Sequence, residues 1–332
     1  MRAIVYTGKN EVSLLELPDP KPNEDEIVVD VRASGICGTD IEVLHGNYGS
    51  SAFPVVPGHE YTGVISDIGS NVKGYQLGDR VVVDPNFECG KCRACLNGRS
   101  NLCDDLKAYG VTHHGGFAEK SVTKSSAVHS IGDLPFDVAA LAEPMGCILN
   151  GLGAARAETA NNAIIFGAGP IGLLLAIGMR VLGVKDITLA DLNEDRLNFS
   201  ENMGFKSIMS GSGELTQMHQ SFDLVADATG VPAVAEKLTQ YMANGGVGLF
   251  FGVCPTNADI TIKPFELFRR QLSLVGSHSL NHNIPKALDV IRTFGKDIGQ
   301  LTTHKMSLEQ VADVLKGNTP KDSMKIQWNN IS

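Results

Sequence analysis

No stretch of the 332-residue sequence runs to 18 or more apolar residues, so no segment is expected to cross a bilayer as a helix. The first residues, MRAIVYTGKNEVSLLEL, lack the apolar core of a secretory leader, and export is not expected. There is no block of like charges, and the net charge is −9. A nucleic acid or an anionic membrane would call for a basic face, so neither is an expected partner. Internal repeats and low-complexity segments are also missing. What is present suits a packed globular chain of about two domains, with 43% hydrophobic and 20% charged residues. The seven cysteines are odd in number, and four crowd into one short stretch. That pattern fits metal binding in a reducing compartment better than a disulfide framework, and a cytoplasmic enzyme is the expectation.

One stretch organises the rest. Pro57-Gly58-His59-Glu60 sets a histidine beside a glutamate at the end of a turn, with the strand-like run Tyr61 to Ile65 behind it. Upstream stands Cys37, in Gly35-Ile36-Cys37-Gly38-Thr39-Asp40, and downstream Glu143, in Ala142-Glu143-Pro144. Cys, His and Glu are zinc-ligand types, and a catalytic zinc keeps one position open. These loops are expected to close on one such ion. The plainer alternative is a solvent-exposed His-Glu pair and an unrelated buried cysteine. Cys89, Cys92, Cys95 and Cys103 follow as C-x2-C-x2-C-x7-C. Four thiolates fill a tetrahedral zinc site and leave nothing open, so this metal would be structural. An iron–sulfur cluster is the rival, although Asp104 stands where ferredoxin-type runs place proline. The surrounding lobe, about residues 86–106, lacks apolar residues for a core of its own.

The first segment reads as short, glycine-broken strands, a small barrel-like domain. Asp137 to Ala142 and Gly146 to Ala155 read as helices, and near residue 147 the composition shifts to strand–helix alternation. Ala163 to Phe166 suits a strand buried on both faces. Gly167-Ala168-Gly169-Pro170-Ile171-Gly172 follows, opening the helix Leu173 to Leu182. A strand before and a helix after are the context in which G-x-G-x-x-G binds a dinucleotide pyrophosphate. Asp191 ends the next strand, 19 residues past Gly172. It is placed to accept from the adenosine ribose and repel a 2′-phosphate, which favours NAD over NADP. Arg196 stands near enough to accommodate that phosphate, and Asp191 also suits a helix cap or turn. Val231 to Met242 reads as a helix. Strands at Phe222 to Ala226, Val247 to Phe251 and Leu272 to Val275 complete a parallel set. The strand ends Gly252, Val253 and Ser277 are then candidate nicotinamide contacts. His113 and His114 read as substrate-facing or as ordinary loop residues, and Cys147 and Cys254 as packing residues.

These residues together resemble the zinc-dependent medium-chain alcohol and polyol dehydrogenases, across essentially the whole chain. The resemblance implies an α/β architecture. A GroES-like catalytic domain (1–146) is followed by a Rossmann domain (147–276), and a C-terminal segment (277–332) returns to the first. It implies Cys37, His59 and Glu60 as zinc ligands, with Glu143 on the metal or on its water, as in the sorbitol branch. It implies two zinc ions, NAD, a homodimer or homotetramer, and reversible oxidation of a sugar alcohol to a ketose. Thr39 would be the first proton acceptor. Glu42 stands where many members, threonine dehydrogenases included, carry a histidine. Galactitol-phosphate dehydrogenases are also similar, but no arginine joins His113 and His114 to clamp a phosphate. The alternatives are therefore a sugar-alcohol-phosphate dehydrogenase, a threonine or simple secondary alcohol dehydrogenase, or a nicotinamide-binding sensor without turnover.

Overall fold

The structure, a computed structural model, describes residues 1–47 and 53–330. The chain divides into two compact units, Met1–Glu143 with the segment from Ile284 onward, and Pro144–Asn283. The sequence reading set these boundaries at 146/147 and 276/277. Among the described residues no helix is long and apolar enough to cross a membrane.

In the first unit a seven-stranded sheet is built around Glu26–Gly35. Its order runs Thr302–Met306, Lys325–Asn329, Glu26–Gly35, Glu60–Ile68, Arg80–Val83, Val128–Ser130, and Lys120–Lys124 also pairs with Glu26–Gly35. All pairings are antiparallel except Thr302–Met306 with Lys325–Asn329. Register shifts at Val28/Val29 and Val31/Ala33 bend the central strand, as bulges do, which suits the barrel-like curl expected of this segment. Ile27, Val29, Val31, Tyr61, Ile65 and Phe117 lie in one apolar core with Trp328 and Leu308 of the tail. The tail helix Leu308–Leu315 starts on a capping box, Ser307 with Gln310, which satisfies its first free amides.

The second unit carries a six-stranded parallel sheet, in the order Lys206–Met209, Asp186–Asp191, Asn162–Phe166, Phe222–Asp227, Met242–Phe250, Ser273–Gly276. Chain order reverses beside Asn162–Phe166, the position where such sheets open a ligand crevice at their carboxyl ends. Ala163, Ile164 and Ile165 are fully buried, as their unbroken apolar run requires.

Several elements differ from the sequence reading. Glu143-Pro144 does not end a helix: Ala142–Ala154 is one helix, after a short turn of helix at Phe136–Ala139. Proline is tolerated there because a first-turn amide has no helical acceptor. Val231 to Met242 is not one helix either. Pro232–Ala235 and Leu238–Tyr241 are single turns, and Met242 already pairs with Phe222 in the sheet. The Asn244-Gly245-Gly246 segment lies inside that strand beside a register shift. Lys206–Met209, a four-residue strand with no strong apolar signal, was not anticipated.

Candidate active site

Sheet register starts the site. Gly35, at the end of the central strand, pairs with Glu60, at the start of the next. Cys37, two residues past Gly35, caps the helix Gly38–Leu44. The Asp40 carboxylate accepts the Cys37 amide at 2.8 Å and the Gly58 amide at 3.2 Å, and is fully buried. One aspartate thus ties together the two loops that carry Cys37 and His59. Its Oδ1 also lies 3.3 Å from His59 Nδ1, the kind of partner that fixes a ligand imidazole's orientation. As a result, ligand atoms of Cys37, His59 and Glu60 all lie within 4.8 Å of one another.

Lys325 closes the far side. It enters on the strand Lys325–Asn329 and donates from Nζ to Glu60 Oε1 at 2.6 Å and to Ile36 O at 2.9 Å. Glu60 Oε2 lies equally close to Nζ but accepts no well-formed hydrogen bond. Burial works against both the imidazolium and the ammonium here. Asp40 and Cys37 nevertheless hold His59 well above the usual histidine range. Glu60, then Cys37 and Glu143, keep Lys325 above the usual lysine range. A cysteine sulfur, a histidine ring and a carboxylate brought this close together are the donor set that zinc takes. Glu143, buried in the first turn of Ala142–Ala154, falls outside the 4.8 Å set, although its charge acts on Lys325. Thr39 is half-buried in the first turn of Gly38–Leu44, and the cap there is Cys37, not Thr39.

The four-cysteine lobe hangs from the paired strands Asn86–Phe87 and Lys107–Ala108. The Cys89, Cys92, Cys95 and Cys103 sulfurs lie within 4.8 Å of one another, with Cys92 and Cys95 3.4 Å apart. Cys103 Sγ accepts the Cys89 and Asp105 amides, each at 3.3 Å. Backbone amides lower the Cys92 thiol to about 6, while burial, then Cys92 and Cys103, push Cys95 up to about 12. Leu96, on the lobe's helical turn, is 75% exposed, so the lobe has no apolar core to hold it. Four sulfurs this close suit one tetrahedral ion.

In the second unit the glycine loop leaves Asn162–Phe166 and opens the helix Pro170–Val181, capped by Gly169 with Pro170 in its first turn. A Cβ on Gly172 would overlap Gly167 O, so helix and loop meet as closely as they do only with glycine there. Asp191 Oδ2 accepts the Ala168 amide at 2.7 Å, and Oδ1 accepts the Asn193 amide at 2.9 Å. Arg196 Nη1 lies 3.9 Å from Asp191 Oδ2 and beside Gly169. The loop, Ile171 included, therefore meets Asp191 and Arg196 at one edge of the sheet. Gly252 and the exposed Val253 follow Met242–Phe250 at the same edge, and Ser277 follows Ser273–Gly276, with Asn150 Nδ2 3.4 Å from its hydroxyl.

Residues 23–133 match the alcohol dehydrogenase GroES-like domain family, and residues 170–293 match the zinc-binding dehydrogenase family. D-altritol 5-dehydrogenase of Agrobacterium fabrum is 48% identical over 99% of both chains. The chain belongs to the zinc-binding alcohol dehydrogenase family. Among solved structures, a protein named as a zinc-binding dehydrogenase from Sinorhizobium meliloti 1021, bound to NADP, superposes with a TM-score of 0.94. It is 28% identical, over 99% of this chain and 98% of that one. A short chain alcohol dehydrogenase of E. coli CFT073 with NADH gives 0.91, at 26% identity over 99% of each. The two units are thus the GroES-like and Rossmann domains of a zinc-dependent, nicotinamide-linked alcohol dehydrogenase.

Two residues of this dehydrogenase's site escaped the sequence reading. Asp40 stood in the quoted motif, and its spacing three after Cys37 is a capping-box pattern that a cysteine cap disguises. Lys325 has no local signal at all. His114 is half-buried and takes the Val56 amide on Nδ1 at 3.1 Å, whereas His113 packs edge-on against Phe87.

Proposed function

We propose that this alcohol dehydrogenase oxidises a secondary hydroxyl of a free sugar alcohol to the ketose, reversibly and with NAD. The observation that carries it is the convergence of Cys37, His59 and Glu60, three zinc-ligand types from two loops, with His59 and Glu60 buried. The 48% relative named for D-altritol supports a hexitol-class polyol. Cys37, His59 and Glu60 would hold the catalytic zinc, and Glu143 would hold a water of that site. Cys89, Cys92, Cys95 and Cys103 would hold a second, structural ion. Zinc, when bound, polarises an alcohol oxygen and favours loss of its proton, by an effect that lowers the pKa of water by roughly 8 units. NAD supplies the hydride acceptor. Asp40 keeps the His59 ring in one orientation, and the Thr39 hydroxyl would relay the alcohol proton, accepting it while releasing its own towards solvent. Gly167, Gly169 and Gly172 let the backbone approach the pyrophosphate, Pro170 and Ile171 start the helix whose N-terminus faces it, and Asp191 receives the ribose hydroxyls. Gly252, Val253 and Ser277 would line the nicotinamide end.

A cytoplasmic homodimer or homotetramer is the proposed form. The edge strand Ser273–Gly276 and the exposed Phe265 and Phe268 just before it support self-association. The test is a panel of sugar alcohols and simple alcohols, free and phosphorylated, with NAD or NADP, followed by absorbance of the reduced nicotinamide. Turnover of free polyols with NAD is expected, and none from His59→Ala. Turnover confined to phosphorylated polyols, or an active His59→Ala enzyme, would overturn the reading.

A further inference from the structure

We propose that Lys325 is a positioning residue that competes with the metal for the Glu60 carboxylate and so keeps that ligand exchangeable. This rests on the reading of Cys37, His59 and Glu60 as metal ligands. Lys325 arrives with the tail strand, whose Gln327 pairs with Gly35 in the central sheet. Its side chain is 6% exposed and that of Glu60 1%. A lysine so buried is tolerated only when its charge is matched, and the Glu60 carboxylate matches it at contact distance. The ammonium stands 2.6 Å from the carboxylate and within reach of both oxygens, while the Ile36 carbonyl anchors it from behind. The space is made deliberately tight. A Cβ on Gly35 would collide with Glu60 Oε2 and come within 3.1 Å of Lys325 Cε.

An ammonium and a dication at this place draw on the same lone pairs. Two effects then agree in sign. Removing the lysine frees both Glu60 oxygens for the metal, and it leaves the pocket more negative, so a dication is held more tightly. The same change disfavours loss of a proton from the alcohol, because a more negative pocket opposes an alkoxide, so kcat falls. A purely structural ion pair predicts the opposite for the metal. Its loss would leave a buried carboxylate unmatched, loosen the site and let zinc go sooner.

The experiment follows transfer of zinc from the holoenzyme to a chromophoric chelator, with total zinc measured in parallel. The phase missing from His59→Ala identifies the catalytic site. Lys325→Met should slow that phase by about 10- to 100-fold, the scale of outer-shell effects on metal sites, and lower kcat at the same time. Lys325→Arg should restore both towards wild type. Faster or unchanged release from Lys325→Met would overturn the proposal. Should that variant not fold, Lys325→Gln keeps a donor to Glu60 without the charge. The same slowing is expected, and wild-type release from it would equally sink the idea. If the wild-type enzyme shows no His59-dependent phase, the ligand assignment itself has failed, which is a separate result.

Discussion

Asp191 has one task that its contacts show and a second that is proposed for it, and a substitution there separates them. Its oxygens already take the Ala168 and Asn193 amides, which ties the glycine loop to the end of the neighbouring strand. Each carboxylate oxygen keeps a further lone pair for a ribose hydroxyl. Asp191→Ala should therefore weaken NAD binding by about 10- to 100-fold, from the loss of charge-assisted hydrogen bonds worth about 1.5–3 kcal/mol. NADP should lose less, because the repulsion of its 2′-phosphate goes with the carboxylate and Arg196 is released beside Gly169. Dissociation constants for both nucleotides would check this, and an unchanged ratio would count against the ribose role. Asp191, the glycines, Cys37 and the His59-Glu60 pair were all legible in the sequence, because each acts within a few residues of a turn or strand end. Lys325 was not, since 265 positions separate it from Glu60 and only the sheet brings them together.

At the scale of the element, the glycine loop works because helix and strand meet without side chains between them. Gly172→Ala places a methyl against Gly167 O and pushes the helix Pro170–Val181 off the strand Asn162–Phe166. Overpacking of this kind costs about 1–3 kcal/mol. A lower urea midpoint at constant slope is expected, together with weaker binding of both NAD and NADP. A variant as stable as wild type with normal nucleotide affinity would show that the close approach is not needed. Strands with unbroken apolar runs, such as Ala163 to Phe166, could be read directly. Elements decided by pairing could not. Met242 follows a helical pattern yet is drawn into the sheet opposite Phe222, and tertiary pairing outweighs propensity there. Asp137 to Ala142 and Gly146 to Ala155 read as separate helices, but Pro144, at the first turn of Ala142–Ala154, costs that helix no hydrogen bond.

Across the whole molecule, the two kinds of chemistry are assigned to different units. Cys37, His59, Glu60, Lys325 and the four-cysteine lobe belong to the unit formed by Met1–Glu143 and the returning tail, whereas the glycine loop and Asp191 lie within Pro144–Asn283. That division makes the lobe metal testable apart from the cofactor. With Leu96 in water and few apolar contacts of its own, the lobe depends on what its four sulfurs bind. Cys95→Ser removes one of four tetrahedral ligands, and a structural metal contributes folding free energy outright. The variant should carry one zinc per chain where the wild type is expected to carry two. Its apparent melting temperature should fall by on the order of 10 °C, the size expected when several kcal/mol are lost from domains of this length. Nucleotide affinity, which depends on the other unit, should stay near wild type at temperatures where the variant is folded. Iron in place of zinc in the wild-type enzyme would reassign the lobe to an iron–sulfur cluster. Unchanged metal content and melting in Cys95→Ser would remove the lobe metal from the account, and the catalytic zinc at His59 would then have to stand without it.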